Sequence, residues 1–315
     1  MLARPALRFR RASERELTRP SRLAMQRGLL VAILCPFIAI VSLFHLVPFL
    51  WSLYLSFHRW AGVGVPRWVG LENFAQIVKD ATIRAAFLNS ALFILVLVPV
   101  LTALSLACAM LLNQALLPMR GVLRVLIFLP YLTPAIIAAV IFSILFNERF
   151  GHVNGMLQLI GIPPIDWLKT PTGARAVVAL TGIWQVLGYT TLITLGGLQT
   201  LPQDLYEAAA IDGANAWQRF WSITLPLLSP TLAVVSVIVL LFVLNLFLPY
   251  FLFPATSGYG PERSTVTVSV VQYVYAFANR RYGEAAAVGC AVGFVGFLLA
   301  LLQIRIWRLS RGWMA

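Results

Sequence analysis

Charge is scarce in this chain. Asp, Glu, Lys and Arg make up 11% of its 315 residues, against about 25% in an ordinary soluble domain, which excludes a water-soluble globular fold. Lysine is nearly missing, with Lys79 and Lys169 the only two. A phosphate-binding loop needs G-x-x-x-x-G-K-[ST], in which a lysine follows a glycine. Neither lysine does so, and no polar stretch is long enough for a nucleotide-binding domain. The three cysteines, Cys35, Cys108 and Cys290, sit apart in apolar runs. That spacing argues against a disulfide framework or a zinc site and for small buried hydrophobes. The histidines, His45, His58 and His152, are scattered, and neither H-E-x-x-H nor G-x-S-x-G occurs. No catalytic residue and no metal-ligand set is identified.

Apolar residues are abundant, at 60%. Six runs, near 29–56, 85–112, 123–146, 174–200, 227–254 and 285–304, are long enough to cross a bilayer, which takes about 20 helical residues. Backbone groups in lipid must be satisfied internally, so the expectation is an all-α polytopic membrane protein with six transmembrane helices. Alternating ten-residue strands of a membrane barrel are absent. The run interiors carry no charge, which weakens a proton-coupled carrier reading.

The net charge of +13 is almost all arginine. The arginines cluster in tails and loops between apolar runs, as in a membrane protein and unlike a nucleic-acid binder. Residues 1–27 hold eight of them. The run from Leu29 to Phe57 is too long for the core of a cleaved leader, so it reads as an uncleaved first span. Six crossings put both termini on one side, with 14 of the 24 basic residues. That bias places both termini in the cytoplasm. Segment 264–283 reads either as a helix on the outer face or as a seventh span. A seventh crossing would send the arginine-bearing C-terminal end outside.

Close packing in the sixth span, inside the subunit or at a dimer interface, is expected from Gly289-x-x-x-Gly293 with Gly296. Pro36, Pro48, Pro99, Pro130, Pro134 and Pro249 lie in or at spans, as hinges or as helix irregularities. Mid-membrane polar and aromatic residues that suit a hydroxylated solute are Gln185 with Tyr189 and Asn245 with Tyr250. The competing reading is helix–helix hydrogen bonding for the amides and interface anchoring for the tyrosines.

The loop between spans four and five, within Leu201 to Pro230, is the most legible part of the chain. Asp204 is a candidate helix cap with Glu207 as its capping-box partner. Leu205 to Ile211 forms a short helix rich in alanine, which Asp212-Gly213 ends. A second helix carries Trp217, Phe220 and Trp221 on one face, and Pro226 closes the unit. The residues alone allow an interfacial helix among lipid headgroups or a knob that enters a partner protein.

Glu207-Ala208-Ala209, Asp212-Gly213-Ala214, Phe220, Ile223 and Leu225-Pro226 resemble the EAA loop of permease subunits of ATP-binding-cassette (ABC) importers. The resemblance is to the carbohydrate branch, in the subunit type similar to the first permease of maltose and glycerol-phosphate importers. It extends through Asn73-Phe74, Leu129-Pro130 with Pro134, Phe146-Asn147, Gly151, Asn154, Ile183-Trp184, Gly197-Leu198-Gln199 and Pro202. The family's T-x-G-G-P appears as Thr256 to Pro261 with Tyr259 inserted, and the glycine-rich, lysine-bearing tail of the second permease type is absent.

The resemblance implies a type I ABC importer permease fold. It divides the chain into a basic cytoplasmic tail (1–27), a permease domain (28–310) with a coupling loop (201–226), and a cytoplasmic end (311–315). It implies a non-enzymatic pore subunit in the cytoplasmic membrane, importing a sugar or sugar-like solute. The implied partners are a second, different permease, two ATPase subunits that bind ATP and Mg, and an extracytoplasmic solute-binding protein. No cofactor and no nucleic acid is implied for this chain. The alternatives are a secondary carrier or a permease for a non-carbohydrate solute.

Overall fold

The computed structural model describes residues 32–114 and 118–312. The basic tail at 1–27, and residues 313–315 of the C-terminal end, lie outside the described residues. The chain divides into two units, Met1–Tyr54 and Leu55–Ala315. The first contributes most of helix α1, Ala32–Ser56, which widens into a π-turn at Ser42–Leu46.

The second unit opens with a short antiparallel pair, β1 (His58–Arg59) and β2 (Arg67–Trp68), in which His58 faces Trp68. Helices α2 (Glu72–Lys79) and α3 (Ala81–Leu112) follow. Next come α4 (Arg120–Phe128), prolonged by a 3₁₀ turn at Leu129–Leu132, α5 (Ala135–Leu145) and α6 (His152–Leu159). The long α7 (Pro171–Gln199) leads through α8 (Gln203–Ile211) into α9 (Ala216–Leu244). The chain ends with α10 (Leu248–Leu252), α11 (Val268–Ala278) and α12 (Tyr282–Gly312).

Five helices are long and apolar enough to cross a membrane, and six spans result if the bent α4–α5 pair is one crossing. The third run is not the straight helix expected at 123–146. It bends by 98° between Leu132 and Ala135. Pro134 has no N–H to donate, and Thr133 ahead of it is extended (φ −76°, ψ 123°), as a residue preceding proline prefers. Pro99, by contrast, is absorbed inside α3 without a break. The fifth run is also displaced. Instead of 227–254, α9 covers 216–244 and stops at Asn245. Pro226 therefore does not close the preceding unit. It lies in the first turn of the regular segment Leu225–Leu244, just after a π-turn at Phe220–Thr224, where proline is tolerated. Segment 264–283 contains no seventh crossing, because α11 has 11 residues and spans only about 16 Å.

Three apolar layers stack down the bundle. At the α8 end, Ala109 and Leu112 meet Leu195, Leu198, Leu228 and Leu232. The middle layer joins Leu97, Leu101, Phe142, Val186, Val239 and Val243. At the far end, Ile83 and Ala86 pack on Val266–Ala276 residues and on Ala285 and Val288. Buried threonines let α7 sit close to its neighbours. The hydroxyls of Thr181, Thr190 and Thr194 donate to carbonyls four residues back, at 2.7, 3.2 and 2.8 Å, which hides their polarity.

Within the subunit, the glycine stripe of the sixth span does not mediate close backbone packing. A Cβ at Gly293 would meet nothing, and those at Gly289 and Gly296 would meet only the tips of Gln272 and Leu244. The close approach is at Gly188 of α7, where a Cβ would overlap the Ile127 carbonyl oxygen of α4.

Charges enter the runs at two ends. Arg124 lies in α4, and Arg175 in the second turn of α7 donates to the Ser264 carbonyl (3.1 Å) and to Asn89 Oδ1 (3.3 Å). Asn89 in turn donates to the carbonyls of Arg263 and Val266. Asn73 and Asn154 also staple loops. Asn154 holds the Glu148 and Ile165 carbonyls, the Ile165 amide and the Trp167 indole, which fills its hydrogen-bonding capacity.

Asp80 caps α3 by accepting from the amides of Thr82 (2.7 Å) and Ile83 (3.2 Å), and its other oxygen accepts from the Tyr275 hydroxyl (2.7 Å). Burial pushes its carboxyl up. The Tyr275 hydroxyl, the two amides and Arg281 outweigh that and leave it below the usual value. A lowered folded pKa makes Asp80 stabilising above the ordinary carboxylate range, and that stability is lost as pH falls through the lowered value. Asp80→Ala is expected to destabilise by about 1–2 kcal/mol as a lost cap, and Asp80→Asn by less. Thermal unfolding in detergent at neutral pH measures the difference, which should narrow for Asp80→Asn below about pH 4.

Candidate functional site

The elbow between α7 and α9 is built by local chemistry. The sequence reading of its start is corrected: α8 begins at Gln203 after Pro202, with no side-chain cap, and Asp204 lies in the first helical turn. There its charge complements the helix dipole. The capping box forms instead at the head of α9. Asn215 Oδ1 accepts from the Gln218 amide (2.9 Å), and Gln218 Oε1 accepts from the Asn215 amide (2.8 Å). The end of α8 is as expected. Gly213 takes φ +80°, the Gly213 amide donates to the Ala210 carbonyl (3.1 Å), and the Ala214 amide donates to the Ala209 carbonyl (2.9 Å). These paired bonds define a Schellman stop, which only a left-handed residue allows.

One contact ties the knob to its stem: Tyr206 of α8 hydrogen-bonds Thr224 of the π-turn, at 3.0 Å between oxygens. Thr224 is buried. Sequence reasoning missed Tyr206 and Thr224, which no local pattern marks. It also missed Asn215 with Gln218, although the N-x-x-Q spacing was readable.

The predicted coupling residues divide into two groups. Glu207, Ala208, Asp212 and Gly213 are exposed, and Ala209 and Ala214 are half-buried behind them. Phe220, Ile223, Leu225 and Pro226 are half-buried at the root, and Leu225 packs on the first core layer. Trp217, Phe220 and Trp221 form one aromatic cluster, with centroids 5.3–6.1 Å apart. Large apolar surface is left outward, with Ile211 87% and Trp217 68% exposed. Glu207 has no ion-pair or hydrogen-bond partner among the described residues. A rigid knob that leaves its apolar and acidic groups unpartnered has the chemistry of an interface.

A second feature lies inside the bundle. The two helix interruptions, at Thr133-Pro134 and at Asn245, face one cavity of about 200 Å³, lined among others by Tyr131, Gln185, Asn245 and Phe247. Gln185 Nε2 donates to the Thr133 carbonyl (2.9 Å), an acceptor freed by the proline break. Asn245 Nδ2 donates to the Leu241 carbonyl of its own helix (2.8 Å). The other amide oxygens, Oε1 of Gln185 and Oδ1 of Asn245, have no protein donor among the described residues. Tyr189 stacks on Tyr131 with centroids 4.5 Å apart. Tyr250 is not in this group. It stacks on Phe247 (4.9 Å) and meets Tyr273 (5.1 Å) in an aromatic cluster beside the cavity. The structure therefore joins Gln185, Asn245 and, through Tyr131, Tyr189. Among the described residues, no charged side chain lines the cavity.

Membrane-crossing helices, a cavity between broken helices and an outward-facing elbow define a membrane permease. The chain belongs to the family described as binding-protein-dependent transport system inner membrane components, whose model matches residues 100–308. It is 34% identical to the trehalose/maltose transport system permease protein MalF of Thermococcus litoralis over 268 residues, covering 84% of this chain and 88% of that one. It is 33% identical to the lactose transport system permease protein LacF of Rhizobium radiobacter over 276 residues, covering 85% and 90%. The maltose/maltodextrin permease protein MalF of Escherichia coli is 32% identical over 76% of this chain but only 49% of its own longer one. Among solved structures, a chain of a bacterial ABC transporter involved in import of the acidic polysaccharide alginate superposes with a TM-score of 0.76. It is 24% identical, covering 92% of this chain and 98% of that one. The fold is that of a type I ABC importer permease.

Proposed function

We propose that this chain is one half of a heterodimeric pore that imports a neutral sugar or sugar-like solute, driven by ATP hydrolysis on separate subunits. The observation that carries the reading is the elbow: rigidly built, yet unpartnered on its outward face. Residues 207–214 seat in a groove of an ATPase subunit, which binds ATP and Mg. Closure of the ATPase pair moves the docked knobs, and the attached helix bundles rock between inward-open and outward-open states. Both termini and the elbow lie in the cytoplasm, and the far end, with α11 on it, faces outward. There a solute-binding protein delivers cargo. The relatives named for maltose, trehalose and lactose support the sugar class.

Within the cavity, the free oxygens of Gln185 and Asn245 accept hydrogen bonds from solute hydroxyls. The Tyr131–Tyr189 pair offers a flat apolar face. The uncharged lining favours a neutral solute over a carboxylated or phosphorylated one. No covalent step occurs in this chain.

The test is reconstitution. The chain is expected to co-purify with an ATPase subunit and a second permease, and proteoliposomes should take up neutral disaccharide only with ATP and the binding protein. Uptake driven by an ion gradient without ATP would overturn the reading. Asn245→Leu removes one neutral acceptor without touching the core, so the half-saturating solute concentration is expected to rise about 2- to 10-fold. Radiolabelled sugar uptake measures it.

A further inference from the structure

A second cavity, of about 370 Å³, lies at the far end of the bundle, between the β1–β2 hairpin and the head of α12. Arg59, Trp60, Asn279, Arg280 and Arg281 line it, with Glu284 in the wall. Two of its three arginines are already paired. Arg59 is bound to Glu72, and Arg281 is held by Glu284, with Nε donating to Oε1 at 2.8 Å. Arg280 has no acidic partner among the described residues. The Asp80 carboxylate also acts on Arg281, so what is left over is not a net charge of the cluster but the one guanidinium, that of Arg280, without a carboxylate of its own among the described residues.

Arg280 is also held in an unusual way. Its φ is +54°, a left-handed conformation that glycine or asparagine adopts more readily than arginine. Backbone bonds on either side pin it there: the Asn279 amide donates to the Val274 carbonyl (2.9 Å), and the Arg281 amide donates to the Tyr275 carbonyl (2.7 Å). The opposite wall is equally fixed. Gly283 lies so close to the His58 carbonyl that a Cβ would overlap it, and the Trp60 ring lies 5.3 Å from that of Tyr282. The turn thus places Arg280, exposed and without an acidic partner among the described residues, in the lining of a cavity that it shares with Trp60 and with Asn279, whose side-chain amide is a further hydrogen-bond donor.

We infer that this pocket anchors a single carboxylate side chain of the solute-binding protein. The inference rests on the importer reading, which places this end of the bundle outside. The pocket lies among the β1–β2 hairpin, the turn at Asn279–Arg281 and the first turn of α12, within reach of a protein seated on that face. The unpaired guanidinium of Arg280 matches one Asp or Glu, and Arg–carboxylate pairing supplies fork geometry as well as energy. Such a charge acts on encounter and on register.

The experiment uses the complete transporter in nanodiscs of phosphatidylcholine alone. Its ATPase rate is followed while solute-loaded binding protein is titrated. Arg280→Glu is expected to raise the half-stimulating concentration at least tenfold. Arg280→Gly should raise it several-fold while the melting temperature stays level or rises, because glycine adopts φ +54° without strain. Arg280→Lys keeps the charge and should bring the value back toward wild type. Wild-type response should weaken with added salt. Glutamate and glycine variants that match wild type would overturn the inference. So would a shift seen only after phosphatidylglycerol is added, which would make the pocket a site for anionic lipid. A wild-type ATPase indifferent to the binding protein would instead sink the importer reading itself.

Discussion

Glu207→Ala is expected to leave the chain folded in the membrane and to lower ATP-driven uptake at least 30-fold. Glu207 is exposed and unpartnered on α8, and alanine is the better helix former, so the fold has nothing to lose. If the carboxylate is buried against a basic group of the ATPase, its removal strands that group, at a cost of about 2–5 kcal/mol in docking. Gly213→Pro acts on the same function through geometry. Proline cannot reach φ +80° and cannot donate the Gly213 hydrogen bond to Ala210. The Schellman stop is lost, and with it the angle between α8 and α9. Uptake should fall to background while the bundle core stays intact. Uptake at limiting ATP, with capture of the ATPase on immobilised permease, reads both variants. Wild-type uptake from Gly213→Pro would remove the elbow from the mechanism.

The second large effect concerns assembly. Gly188→Ala should destabilise the protein by about 3 kcal/mol or more, because the new Cβ collides with backbone at Ile127 and Phe128 and not with a flexible side chain. Relief requires α4 to move, and α4 leads directly into Tyr131 and Thr133 beside the cavity. Unfolding temperature and monodispersity in detergent should fall together with uptake. Gly293→Ala is the control. It opens on empty space, and alanine stabilises a helix relative to glycine by about 0.5–1 kcal/mol. Equal behaviour of the two variants would refute this account of the α4–α7 crossing.

These two glycines also show where sequence reasoning reaches its limit. Gly289, Gly293 and Gly296 stand at a spacing that usually marks close helix contact, yet within the subunit they meet side-chain tips or nothing. Gly188 belongs to no such pattern, and it makes the contact. Spacing reports which residues share a helix face, but not which helix lies opposite. The elbow was more legible because its stop is local. Asp212-Gly213 follows an alanine-rich turn, and only glycine suits the left-handed position. The start of α8 was less legible. Asp204 has the right chemistry for a cap, but the helix begins one residue before it, and capping fell to Asn215.

By itself the sequence determined the class of the molecule. Apolar runs of bilayer length leave helices as the only way to satisfy the backbone in lipid, and the 207–226 pattern marks the elbow and its family. Gln185 and Asn245 were visible as polar residues in apolar runs. Only the tertiary structure decided that they line one cavity, since that depends on two helix breaks, 112 residues apart at Thr133 and Asn245, arriving at the same depth. It also moved Tyr250 out of that group and brought Arg280 and Trp60 to the lining of one cavity. Covalent neighbours set helix starts, stops and breaks within a few residues. Which distant side chains then meet is set by how whole helices cross, and that is settled by packing across the bundle.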